Sequence, residues 1–259
     1  MCARPDHFNL AGKIALVTGA SSGLGAHFAR VLSAEGAHVI LAARREAMLE
    51  EEAASIRLAG REATTIALDV CDPAAVTAAF ARLRSDGKFP DILINNAGVA
   101  SGPKAFLETT ENDWHWVVDT NLNGAWRVAR ETAKVWVEVG RPGTIVNVAS
   151  VYGLRTGLWK VAYNVSKAGV VQLTKTMAIE LSRYGVRVNA LCPGWFGSPI
   201  NDDYFSTEAG IKYVNTFPLK RLGGMDELTA PLLLLASDAG SYVNGAVLAV
   251  DGGLGAAAV

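Results

Sequence analysis

The chain has 259 residues, half of them hydrophobic and 19% charged, and its 24 basic and 25 acidic side chains leave a net charge of −1, so it offers no basic footprint for a nucleic-acid backbone. The three cysteines Cys2, Cys71 and Cys192 are odd in number and widely spaced, so no disulfide framework and no metal pattern is expected. Neither a signal-peptide run nor about 18 consecutive apolar residues occurs, and a chain of this length sits near the limit of one core; the reading is a single cytoplasmic domain over 1–259, with 1–9 as an N-terminal extension and no membrane partner.

In chain order, apolar runs of strand length alternate with longer stretches of helical period, the pattern of βαβ crossovers. The first strand, 13–18, runs into Thr18-Gly19-Ala-Ser21-Ser22-Gly23-Leu24-Gly25, which opens a helix over 24–35. At such a strand-to-helix turn, Gly19 permits the sharp bend, Gly23 lets backbone amides approach a pyrophosphate and Gly25 allows close packing. The helix N-terminus adds about half a positive charge. A second strand, 38–43, ends in Arg44 and Arg45, where an NAD enzyme would offer a carboxylate to the adenosine ribose; guanidinium there suits a 2′-phosphate and points to NADP(H), with NAD(H) possible. A helix follows over 46–59, then a strand over 63–68 whose end presents Asp69 and Val70 toward an adenine.

Asp72-Pro73 reads as an N-cap with proline at the first helical position of 73–85, and Gly36, Gly60 and Gly185 read as left-handed helix caps. A strand at 91–95 ends in the turn Asn96-Ala97-Gly98, and a long helix over 111–138 carries Asn121. A strand at 144–149 ends in Ser150, at the strand edge where open α/β sheets bind ligands. The helix over 162–183 carries Tyr163 and Lys167, four residues apart and so on one face. A phenol loses its proton near pH 10. A positive charge at about 4 Å contributes on the order of 4 kcal/mol at an effective dielectric of 20, enough to bring it about three pH units down into a working range. Strands at 186–191 and 246–250 flank a helix at 226–235 and an irregular stretch, about 193–224, read as a substrate lid. The expected fold is α/β: a Rossmann-like, doubly wound, parallel seven-stranded sheet with helices on both faces.

Taken together, Thr18 to Gly25, Asn95 to Gly98, Asn121, Ser150 thirteen positions before Tyr163, the Tyr163/Lys167 pair and Pro193-Gly194 resemble the short-chain dehydrogenase/reductase family over nearly the whole chain. The resemblance implies that Tyr163 exchanges a proton with the substrate oxygen and Ser150 polarises the carbonyl. It further implies that Lys167 lowers the Tyr163 pKa and binds the nicotinamide ribose, and that Asn121 holds a relay water. It makes the segment Asn96 to Gly98, Pro193, Gly194, Phe196 and Ser198 cofactor-lining. Two departures from the family pattern stand out: Pro199 follows Ser198 where a threonine is usual upstream, and Ser22 occupies a turn position that is often basic in NADP-binding members.

Leu154, Trp159, Trp195 and Tyr204 are expected around a largely apolar pocket for a small-molecule ketone or secondary alcohol. Arg127 and Arg130 are too few for the basic rim that an acyl-carrier protein would need. By the same resemblance, the helices carrying Trp126, Trp136, Val170 and Val171 form an interface of a homotetramer or homodimer, with the apolar tail 254–259 packing on a neighbouring subunit. The alternatives are an NAD-dependent polyol or hydroxysteroid dehydrogenase, a 3-oxoacyl reductase and, in a different class, a nucleotide-binding sensor without turnover.

Overall fold

Near-continuous runs of Val, Ile, Leu and Ala form strands that are buried on both sides, because each is covered by helices above and below. The computed structural model describes residues 7–197 and 202–257, so Cys2, Ser198, Pro199 and the last two residues of the tail lie outside the described residues. The strands are β1 (Ile14–Thr18), β2 (His38–Ala43), β3 (Ala63–Ala67), β4 (Ile92–Asn95), β5 (Gly143–Val148), β6 (Val186–Pro193) and β7 (Val247–Val250). Among the described residues they form one parallel sheet in the order β3-β2-β1-β4-β5-β6-β7. The order reverses between β1 and β4, which opens a crevice beyond their carboxyl ends.

The helices are α1 (Gly23–Ala34), α2 (Glu46–Leu58), α3 (Pro73–Ser85), α4 (Glu111–Val118), α5 (Gly124–Val139), α6 (Val161–Leu181), α7 (Asp202–Phe205), α8 (Glu208–Val214) and α9 (Thr229–Ala236). Alternate strand residues divide between two apolar layers. Val17, Leu41 and Ile94 pack with Phe28 of α1, Leu49 of α2 and Leu232 of α9. Leu16, Ile40 and Leu93 pack with Phe80 of α3, Trp136 of α5 and Ala178 of α6. Each fully buried side chain of this size contributes about 1.5–3 kcal/mol. Asp72 Oδ1 accepts from the amides of Ala74 (2.8 Å) and Ala75 (3.1 Å), capping α3 with Pro73 in its first turn. Gly36, Gly60 and Gly185 adopt φ of +93°, +75° and +73°.

The sequence-based elements differ from the structure in three places. The helix expected over 111–138 is broken into α4 and α5 by a π turn, Asp119–Asn123, in which the Gly124 amide donates to Asp119 O five residues back. The extra residue lets Asn121 turn its side chain out of the helix surface onto the backbone of Val99. The stretch 193–224, expected to be irregular, contains α7 and α8. Trp136, Val170 and Val171 face this chain's own core instead of a partner: Trp136 is 1% exposed and donates its indole N–H to Pro90 O at 2.8 Å, while Trp126 remains half-exposed. Leu254 of the tail likewise packs against Val151 and Phe217 of the same chain.

Behind the crevice, a buried polar chain ties the layers. Asn95 Nδ2 donates to Ala125 O (2.7 Å) and Asn147 Oδ1 (3.2 Å), and Asn147 Nδ2 donates to Thr174 Oγ1 (2.8 Å), joining β4, β5, α5 and α6. Among the described residues no helix is long and apolar enough to cross a membrane.

Candidate active site

The crevice at the reversal point holds a cavity of about 540 Å³. The loop from β1 to α1 forms one wall through Gly19, Ser21, Ser22, Gly23, Leu24 and Gly25, and the ends of β2 and β3 form another through Arg44, Arg45, Asp69 and Val70. Asn96, Ala97 and Gly98 after β4, with Tyr163 and Lys167 of α6, close the far end.

The β1 loop is held in shape by backbone chemistry. Thr18 Oγ1 accepts from the amides of Asn96 and Ala97, both at 2.9 Å, and Asn96 Nδ2 donates to Thr18 O at 2.9 Å. Gly19 and Gly23 have φ of +66° and +57°, and a Cβ on Gly25 would stand 2.3 Å from Gly19 O, so only glycine closes this turn. Ser22, at the N-cap of α1, makes no side-chain cap bond, which leaves the first amides of the helix for a ligand. Arg45 Nη2 donates to Ser21 Oγ (2.9 Å) and Ser22 Oγ (3.0 Å), so a guanidinium reaches the glycine turn from the end of β2. A cradle of free amides beside two arginines fits the pyrophosphate and adenosine half of a dinucleotide. Asp69 Oδ1 accepts from the Cys71 amide at 2.9 Å, so this carboxylate shapes its own turn as well as lining the wall.

A second cavity of about 310 Å³ adjoins the first, and Tyr163 lines both. Ser150, Gly194, Trp195 and Phe196 line it, together with Tyr152, Lys160 and Met225, three residues that sequence reasoning missed. Of the residues expected around the substrate, only Trp195 does so. Leu154, Trp159 and Tyr204 are 46%, 62% and 51% exposed and lie outside the lining, because their backbones turn these side chains outward. Pro193 is buried at the end of β6, paired with Val250 of β7, and lines neither cavity. Val99 and Ala100 also border the first cavity, with no local motif to mark them.

Ser150 ends β5 in extended backbone and its Oγ accepts from the Tyr152 amide at 3.1 Å. Burial pushes the Tyr163 phenol above its ordinary pKa of 10, and a hydrogen bond with the Ser150 hydroxyl pulls it back. Lys167 is 4% exposed, donates to Val148 O at 2.8 Å and stands 5.8 Å from the centroid of the Tyr163 ring. Its ammonium is itself pushed down to about 8 by burial. The expected lowering of the phenol by the lysine therefore does not appear: desolvation drives both groups toward their neutral forms, and Ser150 is the neighbour that favours the phenolate. Asn121 is 1% exposed; its Oδ1 accepts from Val99 N (2.7 Å) while Nδ2 donates to Val99 O (2.9 Å) and Ser166 Oγ (3.1 Å), so its side chain is fully engaged by the protein. Among the described residues no group of His, Cys, Asp and Glu side chains could hold a metal ion.

Burying the Lys167 charge opposes folding. The gap between about 8 and the ordinary 10.5 corresponds to about 3 kcal/mol. The unfolded chain binds the extra proton only between those two values, so the penalty is full below pH 8 and gone above about 10.5. Lys167→Met is therefore expected to raise the thermal midpoint by several degrees at pH 7, with the gain shrinking between pH 8 and 10.5. A midpoint that falls at pH 7 would contradict this cost.

A family model described as enoyl-(acyl carrier protein) reductase matches residues 19–255. The chain is 37% identical over 256 residues to gluconate 5-dehydrogenase of Gluconobacter oxydans, covering 97% of this chain and 98% of that one. It is 36% identical over 248 residues to 3beta-hydroxysteroid dehydrogenase 1 of Eggerthella lenta, covering 95% of each. The crystal structure of a gluconate 5-dehydrogenase from Burkholderia cenocepacia in complex with NADP and tartrate is similar with a TM-score of 0.93 and 34% identity, over 98% of this chain and 99% of that one.

Proposed function

The chain belongs to the short-chain dehydrogenase/reductase family, and from that premise we propose that it interconverts a ketone and a secondary alcohol, preferring NADP(H) to NAD(H). The observation that carries the reading is Tyr163, which borders both the dinucleotide-shaped cavity and the smaller one, with Ser150 hydrogen-bonded to its hydroxyl and the Lys167 amine behind it. A bound NADP(H) supplies or accepts the hydride at its nicotinamide.

In reduction Tyr163 gives its proton to the carbonyl oxygen, and in oxidation it takes the proton back from the alcohol. Ser150 donates a hydrogen bond to the same oxygen and so stabilises the charge that develops there. Lys167 lies between the phenol and the cofactor cavity, where the family resemblance has it bind ribose. The Asn121 side chain is held by Val99 and Ser166, so a relay water would rest on its main-chain carbonyl. The free amides of α1 and the loop from Gly19 to Gly25 would hold the pyrophosphate, and Asp69 and Val70 would face the adenine. NADP(H) is favoured by Arg44, whose side chain has no hydrogen-bond or ion-pair partner among the described residues, and by Arg45 lying over Ser21 and Ser22 in the place where the turn itself lacks a basic residue. A solved relative with NADP bound supports the same preference. The exposed side chains of Trp126, Val137 and Ile179 on α5 and α6 suit a homo-oligomer built on these two helices.

Loss of reduced-nicotinamide absorbance with NADPH and NADH, over a panel of sugar-acid, polyol-derived, steroidal and acyl-thioester ketones, tests the reading. Turnover with NADPH exceeding that with NADH on at least one ketone is expected. NADH preference would favour the polyol or steroid dehydrogenase alternative, and activity confined to acyl thioesters the 3-oxoacyl reductase. NADPH binding with no turnover on any ketone would leave the sensor reading.

A further inference from the structure

The smaller cavity contains a charge that the chemistry above does not use. Its lining holds one cation, Lys160, and no Asp or Glu. Lys160 is half-buried, and its ammonium has no hydrogen-bond or ion-pair partner among the described residues. Burial alone lowers its pKa, with no carboxylate near enough to oppose the shift. The surface cations of this protein are arranged otherwise: Lys104, Arg127 and Arg221 each meet a carboxylate at 2.6–2.8 Å.

Nothing in the local fold accounts for a lysine at this position. Lys160 is the N-cap of α6, where Ser, Thr, Asp or Asn would accept a backbone N–H, and it makes no side-chain cap bond. A positive side chain at a helix N-terminus also adds to the positive end of the helix dipole, which is unfavourable. The turn that delivers it is strained. Trp159 has φ of +59°, rare for a bulky residue, and its carbonyl accepts from the Lys104 amide at 3.0 Å. A poor cap, an unfavourable dipole and an uncompensated burial thus coincide on one residue, one helical turn before Tyr163. Sites where local rules fail together are where function is to be sought.

We propose that the substrate of this chain bears a carboxylate, as a hydroxy acid in the oxidised direction and a keto acid in the reduced one, and that Lys160 is the residue that binds it. This rests on the reading that Ser150 and Tyr163 handle the reacting carbonyl in the same cavity, and it narrows that reading to anionic substrates. The carboxylate accepts from the Lys160 ammonium and supplies the missing counter-charge, while the carbonyl or hydroxyl end lies at Ser150 and Tyr163. Neutral polyols and steroids would leave the lysine unpaired and so would be selected against.

Matched pairs that differ only in this group test the proposal: D-gluconate with D-glucitol, and 3-hydroxybutyrate with 2-butanol, each assayed with NADP+ for kcat/KM. Thermal shift of the NADP+-loaded protein is measured with each compound in parallel. The wild type is expected to favour at least one acid over its neutral partner by about tenfold to a hundredfold, the range of a charge-assisted hydrogen bond. Lys160→Met should collapse that ratio mainly through KM and remove the acid-induced thermal shift. Lys160→Arg should restore part of both, and NADPH affinity should be unchanged in both variants. An acid-to-neutral ratio near one in the wild type, or a ratio and shift that survive Lys160→Met, would overturn the role of Lys160 while leaving the reductase reading intact. Absence of turnover and of thermal shift with every compound would overturn the reading and the proposal together.

Discussion

Replacing Tyr163 by phenylalanine is expected to lower kcat by about a hundredfold to ten-thousandfold, the usual contribution of a positioned proton donor, while NADPH still binds. The substitution removes a single oxygen. The ring that borders both cavities stays, as does its packing near the Lys167 amine, 5.8 Å from the ring centroid. The first cavity keeps its glycine turn and both arginines, none of which touches the phenol oxygen. Fluorescence titration with NADPH should therefore give an affinity close to the wild type beside a collapsed turnover. Activity within tenfold of the wild type would assign the proton to another group, and lost NADPH binding in a folded variant would contradict the separation of the two roles.

Arg44→Ala is expected to raise the KM for NADPH about tenfold to a hundredfold and to change that for NADH much less. The reason is the 2′-phosphate, the one group by which the cofactors differ, and a charge-assisted hydrogen bond of about 1.5–3 kcal/mol accounts for the range. Arg44 is exposed at the cavity wall beyond β2. Arg45 differs because its Nη2 already bridges Ser21 and Ser22. Arg45→Ala should loosen the glycine turn itself and weaken both cofactors. Equal losses of NADPH and NADH in Arg44→Ala would remove the phosphate argument.

The sheet was legible because its strands are buried on both faces, so apolar runs such as Ala15 to Val17 and Leu93 to Ile94 stand out from their surroundings. The glycine turn and the Tyr163/Lys167 pair were legible for a related reason: their spacing follows directly from a turn or a helical face. The π turn was not, since one extra residue in a helix leaves the apolar period almost intact, and what drives it is a contact between Asn121 and Val99, 22 positions apart. Side-chain direction was the other limit. Trp136 and Trp126 look alike in sequence, yet one is buried against Gly143 and the other half-exposed. Trp159 turns outward because its backbone is left-handed, whereas Lys160 beside it, which resembles an ordinary surface residue in sequence, lines the smaller cavity. The effect of burial on Tyr163 and Lys167 also depends on the assembled fold, which is why spacing alone assigned the wrong sign to the phenol's shift.

The most direct test of direct hydride transfer to a carbonyl carbon uses NADPH carrying deuterium at the transferable position of its nicotinamide, incubated with the protein and a ketone that it reduces. The account predicts one deuterium on the new carbinol carbon of the alcohol product, read by mass spectrometry and NMR, with none from deuterated solvent at that carbon. Product labelled from solvent at the carbinol carbon, or NADPH consumed without a labelled alcohol, would contradict it.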